Sequence, residues 1–121
     1  MPVDDAAVVV ENLIEADLRG VYSHGVVRFP IYVKRILDGG ASPKASMSIL
    51  RETRTTAVVD GDNGLGHLVG VKAMQLAIEK ASEGDCVFVA VKTVTILVLR
   101  LITLRWRLTK HDRVIIHHRC H

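Results

Sequence analysis

From Ala6 to Leu18 the apolar residues Ala6, Val9, Val10, Leu13, Ile14 and Leu18 recur at spacings of three and four, the period of an amphipathic helix. Asp4 and Asp5 stand at its N-cap and first turn, where carboxylates complement the helix dipole. Gly20 supplies a stop, and Arg19 a cation at the carbonyl end. A second helix is expected to open at Phe29-Pro30, since proline fits a first helical turn. Its apolar side is Ile31, Val33, Ile36 and Leu37, and Gly39-Gly40 ends it. Residues 41–45, around Pro43, read as a linker.

The period then changes. Met47, Ile49, Ala57 and Val59 show partial alternation between Ser46 and Val59, which predicts two short strands with a turn near residues 52–54. Asp60-Gly61-Asp62-Asn63-Gly64-Leu65-Gly66-His67 reads as a loop rich in residues that tolerate positive φ. A third helix is expected from about Leu68 to Ser82, stopped by Glu83-Gly84-Asp85. Cys86-Val87-Phe88-Val89-Ala90-Val91 is a continuous apolar run and predicts a buried strand, with Cys86 an inert core thiol. Mixed helices and a small sheet define an α/β chain, and 121 residues allow one domain.

An apolar content of 49% fits a globular protein. Two cysteines make no disulfide framework, and the acidic start Met1-Pro2-Val3-Asp4-Asp5 is unlike a basic signal sequence; both lead to a cytoplasmic expectation. The charge is unevenly placed. Residues 1–92 carry a net −2 and residues 93–121 a net +5, which together give the overall +3. All nine glycines precede residue 93, and four of the six histidines follow it.

Chemistry concentrates between the first two helices. His24 can give or take a proton near neutral pH. Ser23 can orient its ring, and Arg28 can clamp a carboxylate with its guanidinium fork. Hydroxyl, imidazole and guanidinium together suit a 2-hydroxy or 2-oxo acid. The same residues also fit an ordinary interhelix turn with a surface His and Arg. Gly64-Leu65-Gly66 lacks the third glycine of a dinucleotide fingerprint and reads as a tight strand-to-helix turn, with His67 structural.

The segment Glu15-Ala16-Asp17-Leu18-Arg19-Gly20-Val21-Tyr22-Ser23-His24-Gly25, followed by Arg28-Phe29-Pro30, resembles the signature of the malate/L-lactate dehydrogenase family of the second type. The stretch from Asp60 to Gly66, with Ala73-Met74 and residues 77–81, resembles that family's next block. The family comprises NAD(P)-dependent oxidoreductases without a Rossmann domain. It includes ureidoglycolate, sulfolactate and diketogulonate dehydrogenases and an imino-acid reductase. The resemblance covers residues 4–92. It implies an N-terminal fragment of that fold, a 2-hydroxy or 2-oxo acid substrate such as malate or lactate, and NAD or NADP as cofactor. It also implies homodimers for full-length members. In its terms His24 is the proton donor, Ser23 its orienting partner and Arg28 the carboxylate ligand. Family members usually carry one more helix ahead of the one at Ala6–Leu18, so this chain is expected to begin late.

After Val89-Ala90-Val91-Lys92 the family continues Asn-Ser-Asn-His-Phe-Gly, part of its cofactor site, whereas this chain reads Thr93-Val94-Thr95-Ile96-Leu97-Val98-Leu99-Arg100. Written with codons chosen for the family's Asn-Ser-Asn-His-Phe-Gly-Ala-Ala, AAC AGT AAC CAT TTT GGT GCT GCG, and read one base later, the family loop spells those eight residues. A frame change at Lys92 is therefore expected: residues 1–92 belong to the dehydrogenase domain and 93–121 form an irregular basic tail. The cofactor-binding residues are then unassigned, and neither the 121-residue chain's activity nor its cofactor binding is expected. His117-His118-Arg119-Cys120-His121 invites a metal reading, but ordered ligand spacing is lacking and no metal is expected. Residues 87–104 are too short and too charged for a membrane span, and no nucleic-acid partner is expected. The competing function is a small basic binding or membrane-associated protein acting through residues 93–121.

Overall fold

The computed structural model describes residues 1–82, 86–95 and 114–118. Helix α1 (Val3–Leu18) leads through two single 3-10 turns into α2 (Phe29–Leu37). Then follow β1 (Ser48–Glu52), β2 (Thr56–Leu65), α3 (Gly66–Ala81), β3 (Val87–Thr95) and β4 (Val114–His118). The strands form one sheet in the order β1-β2-β3-β4. β1 and β2 are an antiparallel hairpin, and β2, β3 and β4 run parallel. The α/β class with a small sheet is thus the observed one.

Helix α3 is the crossover between two parallel strands, and it covers one face of the sheet. Val69, Ala73, Ala77 and Ala81 lie four residues apart and are buried with Met74. Three alanines in one stripe let the helix lie close to Ala57 and Val59 of β2 and Val87, Val89 and Val91 of β3. A second cluster gathers Val9 and Leu13 of α1, Tyr32 of α2, Ala41, Leu65 and Leu68.

Several expectations are corrected here. Helix α1 begins at Val3, so Asp4 and Asp5 lie inside its first turn and Pro2 holds the N-cap. Helix α2 buries Tyr32, while Ile31, Val33 and Leu37 are exposed. Residues 60–65 are strand, not loop: β2 continues to Leu65 and α3 starts at the next residue. The turn chemistry survives as a bulge, because pairing with β3 jumps between Asp60 and Gly64, and Asp62 and Asn63 have φ of 50° and 52°. Gly64 serves close packing instead: a Cβ there would lie 2.6 Å from the Ala45 Cβ. β3 alternates, with Phe88 and Lys92 outward, and Cys86 is exposed before it, not a core thiol. β3 also continues past Lys92 to Thr95, and Val114–His118 pairs with it as a strand where an irregular tail was expected. No helix among the described residues is long and apolar enough to cross a membrane.

His67, expected to be structural, lies in the interior. It is buried, its ring meets Tyr32 edge-on at 5.1 Å between centroids, and both ring nitrogens and the Tyr32 hydroxyl have no hydrogen-bond partner. Burial pushes the imidazole down to about 4 and raises the Tyr32 phenol, an effect that Arg28 partly opposes. The unfolded chain therefore takes up a proton at His67 below its ordinary value of 6.5, while the folded chain resists until about 4. Stability contributed by neutral His67 is fully present above pH 6.5 and is lost as the pH falls through that window. Urea midpoints measured from pH 7 to pH 4 are expected to fall by the equivalent of about 3 kcal/mol, and His67→Phe is expected to flatten that slope.

Candidate active site

Helix α1 stops where glycine can turn the chain. Gly20 has φ of 75°, and the Val21 N–H donates back to the Ala16 carbonyl at 2.9 Å. Two tight turns follow, Tyr22–His24 and Val26–Arg28, closed by His24 N–H to Val21 O and Arg28 N–H to Gly25 O, both 2.9 Å. Turns this short point successive side chains outward, and Ser23, His24 and Arg28 emerge together.

The Ser23 Oγ lies 2.8 Å from His24 Nδ1. The Arg28 Nε donates to the Ser23 carbonyl at 2.7 Å, which fixes the base of the guanidinium. Ser23 is exposed, and His24 and Arg28 are half-buried. All three residues named from the sequence thus form one hydrogen-bonded unit across the two turns. A serine hydroxyl can donate to or accept from Nδ1, so either neutral tautomer of His24 is supported, and Nε2 can present a proton or a lone pair.

Asp17 received no role in the sequence reading. Its Oδ2 accepts the Val26 N–H at 3.1 Å, and its carboxylate occupies the place a Cβ would take at Gly25, 1.6 Å from Oδ1. The side chain thus reaches from α1 over the site turn and holds it. One signal was available: a carboxylate in the last turn of a helix opposes the dipole and calls for a compensating contact.

Cofactor residues were left unassigned, and the glycine-rich junction does not supply them. Gly64, Leu65 and Gly66 are buried, and the space above Gly64 is filled by Ala45 and Val69. A dinucleotide does not fit there. Among the described residues no group of three His, Cys, Asp or Glu could hold a metal ion. Of the sequence cluster at 117–121, residues 119–121 lie outside the described residues. In the middle of β2, the Asp62 N–H at 2.9 Å holds the Asp60 carboxyl below its usual range, against a smaller opposing effect of burial and with help from Lys92 and Thr93.

Residues 1–118 match a family model described as malate/L-lactate dehydrogenase, a match that runs beyond Lys92, where a break was expected. A malate dehydrogenase of Pyrococcus abyssi is 50% identical over 91 residues, 75% of this chain and 25% of that protein. An L-sulfolactate dehydrogenase of Methanocaldococcus jannaschii is 47% identical over 81 residues, 67% of this chain and 24% of that protein. The solved malate dehydrogenase of Pyrococcus horikoshii superposes with a TM-score of 0.77 at 42% identity, covering 79% of this chain and 28% of that one. The chain therefore spans about a quarter of the length of the curated relatives it matches.

Asp17 and Gly25 act through one contact, and that is measurable. Asp17→Ala removes the acceptor of the Val26 N–H, and Gly25→Ala drives the carboxylate off it. Each is expected to lower unfolding free energy by about 1 kcal/mol, and the double variant hardly more than the larger single one, read from urea curves.

Proposed function

The chain belongs to the malate/L-lactate dehydrogenase family, and from that membership we propose that its Ser23–His24–Arg28 turn is the substrate half of an NAD(P)-dependent oxidoreductase acting on the CH–OH of a 2-hydroxy acid. The observation that carries this is the 2.8 Å contact between Ser23 Oγ and His24 Nδ1, with Arg28 anchored beside it. With Nδ1 held by the hydroxyl, Nε2 is the nitrogen left to meet the substrate's C2 oxygen. It gives a proton to that oxygen in the reductive direction and takes one in the oxidative direction. Because Arg28 anchors through Nε, its terminal nitrogens remain for the substrate carboxylate. Homodimers in the full-length form are part of the same proposal.

The 121-residue polypeptide alone is proposed to lack activity and to bind no nicotinamide cofactor, because the loop that the resemblance assigns to the cofactor site is replaced after Lys92. A frame change at Lys92 is proposed as the cause. The jump in charge and the loss of glycine after residue 92 support it, and codons chosen for the family's residues can be read one base later as Thr93 to Arg100. The basic tail as a binding module is the rival reading, and no observation among the described residues favours it.

Purified 121-residue protein is expected to oxidise neither NADH nor NADPH with pyruvate, oxaloacetate or 3-sulfopyruvate; turnover would refute the inactive-fragment proposal. For the site, residues 1–92 joined to the remaining three quarters of a family member give an enzyme in which His24→Asn is expected to lower kcat by about 10²–10⁴-fold. Arg28→Gln in the same fusion is expected to raise KM chiefly. Unchanged rates in the His24 variant would remove the proton role.

A further inference from the structure

His24 and Arg28 stand on different turns, and one glycine joins them. The Gly25 N–H closes the first turn on the Tyr22 carbonyl at 3.2 Å. The Gly25 carbonyl closes the second by accepting the Arg28 N–H at 2.9 Å. With φ of −90° and ψ of −150°, Gly25 breaks the 3-10 run between them. Rotation at this joint swings Arg28 against His24, and glycine resists rotation less than any other residue. Two groups that must meet one small acid therefore need the joint to be locked.

Two side-chain contacts lock it. The Arg28 Nε–H reaches back across the joint to the Ser23 carbonyl at 2.7 Å. Asp17 braces the second turn from outside. Val26 is the first residue of that turn, so its N–H has no partner within it, and its N-cap is Gly25, which has no side chain to offer. The Asp17 Oδ2 takes that N–H at 3.1 Å, from nine residues upstream and from α1. The same carboxylate fills the space beside Gly25: a Cβ there would stand 1.6 Å from Oδ1, 2.3 Å from Cγ and 2.8 Å from Oδ2. Gly25 is buried, although its neighbours on both turns are exposed or half-buried. Among the described residues Asp17 has no cationic partner, whereas Glu15 pairs with Arg19. What Asp17 supplies is an acceptor of fixed shape, not half of an ion pair.

We propose that Asp17 and Gly25 act together as positioning residues for the reaction: the carboxylate locks the joint at Gly25 and so fixes the reach of Arg28 relative to His24. This rests on the reading of His24 as proton donor and Arg28 as carboxylate ligand, and deepens it. In a 2-oxo acid the carboxylate and the C2 oxygen sit on adjacent carbons. One turn must therefore hold the first while the other delivers a proton to the second. A displacement of about 1 Å in such an arrangement can cost on the order of 10²-fold in rate. Neither Asp17 nor Gly25 touches the acid; both act through the placement of Arg28.

The lock is read in the full 121-residue chain from the NMR signals of the Arg28 Nε–H and the His24 ring, which need neither cofactor nor turnover. The Arg28 Nε–H is expected to exchange with water about ten-fold more slowly than that of an unbonded arginine. Asp17→Ala is expected to abolish that protection and to leave the Ser23–His24 contact, which lies within the first turn, in place. Asp17→Asn keeps an oxygen acceptor of the same shape and is expected to retain the protection. Gly25→Ala is expected to behave as Asp17→Ala does. Val9→Ala loosens the packing of α1 away from the turn, so its folded molecules are expected to keep the protection. In the fusion to the rest of a family member, Asp17→Ala is expected to lower kcat/KM about 10²-fold, and Asp17→Asn to recover most of it with the parent pH profile. Arg28 protection that is absent in the parent chain, survives Asp17→Ala, fails in Asp17→Asn or is lost equally in Val9→Ala overturns the lock. Protection lost in Asp17→Ala with kcat/KM unaltered overturns the positioning role. The proton role of His24 is judged apart, by His24→Asn, because the Arg28 signal does not depend on it.

Discussion

Leu65 is where the sheet and the helical unit become one body. It is the last residue of β2, 1% exposed, and its side chain leaves the sheet for the cluster of Val9, Leu13, Tyr32, Ala41 and Leu68. That reach is possible because β2 and α3 meet without a loop. A linking loop of several residues would let the sheet and α1–α2 shift against each other. With none, the direction of β2 sets the direction of α3, and both set where α1 can pack. The bulge at residues 61–63 adjusts the strand's end so that Leu65 points into this second cluster.

The site turn inherits its position from that packing. Helix α1 is held through Val9 and Leu13, its last turn presents Asp17, and Asp17 grips the Val26 N–H. Ser23, His24 and Arg28 are therefore placed by a chain of contacts that starts in the core and ends at an exposed turn. Exposure serves the chemistry, since a proton donor and a carboxylate ligand must both be reached by a small acid. The pair Tyr32 and His67 is buried, so the polar groups of this region divide into those that face solvent and those sealed beneath.

The sequence made some of this legible and hid the rest for physical reasons. α1 and α3 show in the helical period because each has one continuous buried stripe. The hairpin shows because its turn falls among polar residues. The Ser23–His24–Arg28 cluster was legible because all three lie within six residues, so local turns suffice to unite them. Helix α2 misled, since apolar side chains at Ile31, Val33 and Leu37 suggested a core face, while the buried residue is Tyr32. Only the tertiary position of the helix decides which of its faces is covered. Residues 60–65 read as a loop because Asp62 and Asn63 do take positive φ, yet a bulge uses the same residues without ending a strand. The contact from Asp17 to Val26 spans nine residues and a change of direction, beyond what spacing on one helix can show.

The stretch after Lys92 shows why backbone pairing and side-chain fit must be weighed separately. A parallel ladder asks only for extended backbone and residues that tolerate it, and Thr, Val and Ile are among the best of these. Thr93, Val94 and Thr95 have that composition, so a strand through Thr95 reports backbone propensity and not side-chain fit. The register at residues 114–118 carries no more information, for the same reason. Side-chain demands are different in kind. A left-handed φ at β-branched Thr93 and the lone hydroxyl proton of Thr95 among three oxygens are mismatches that extended backbone cannot absorb.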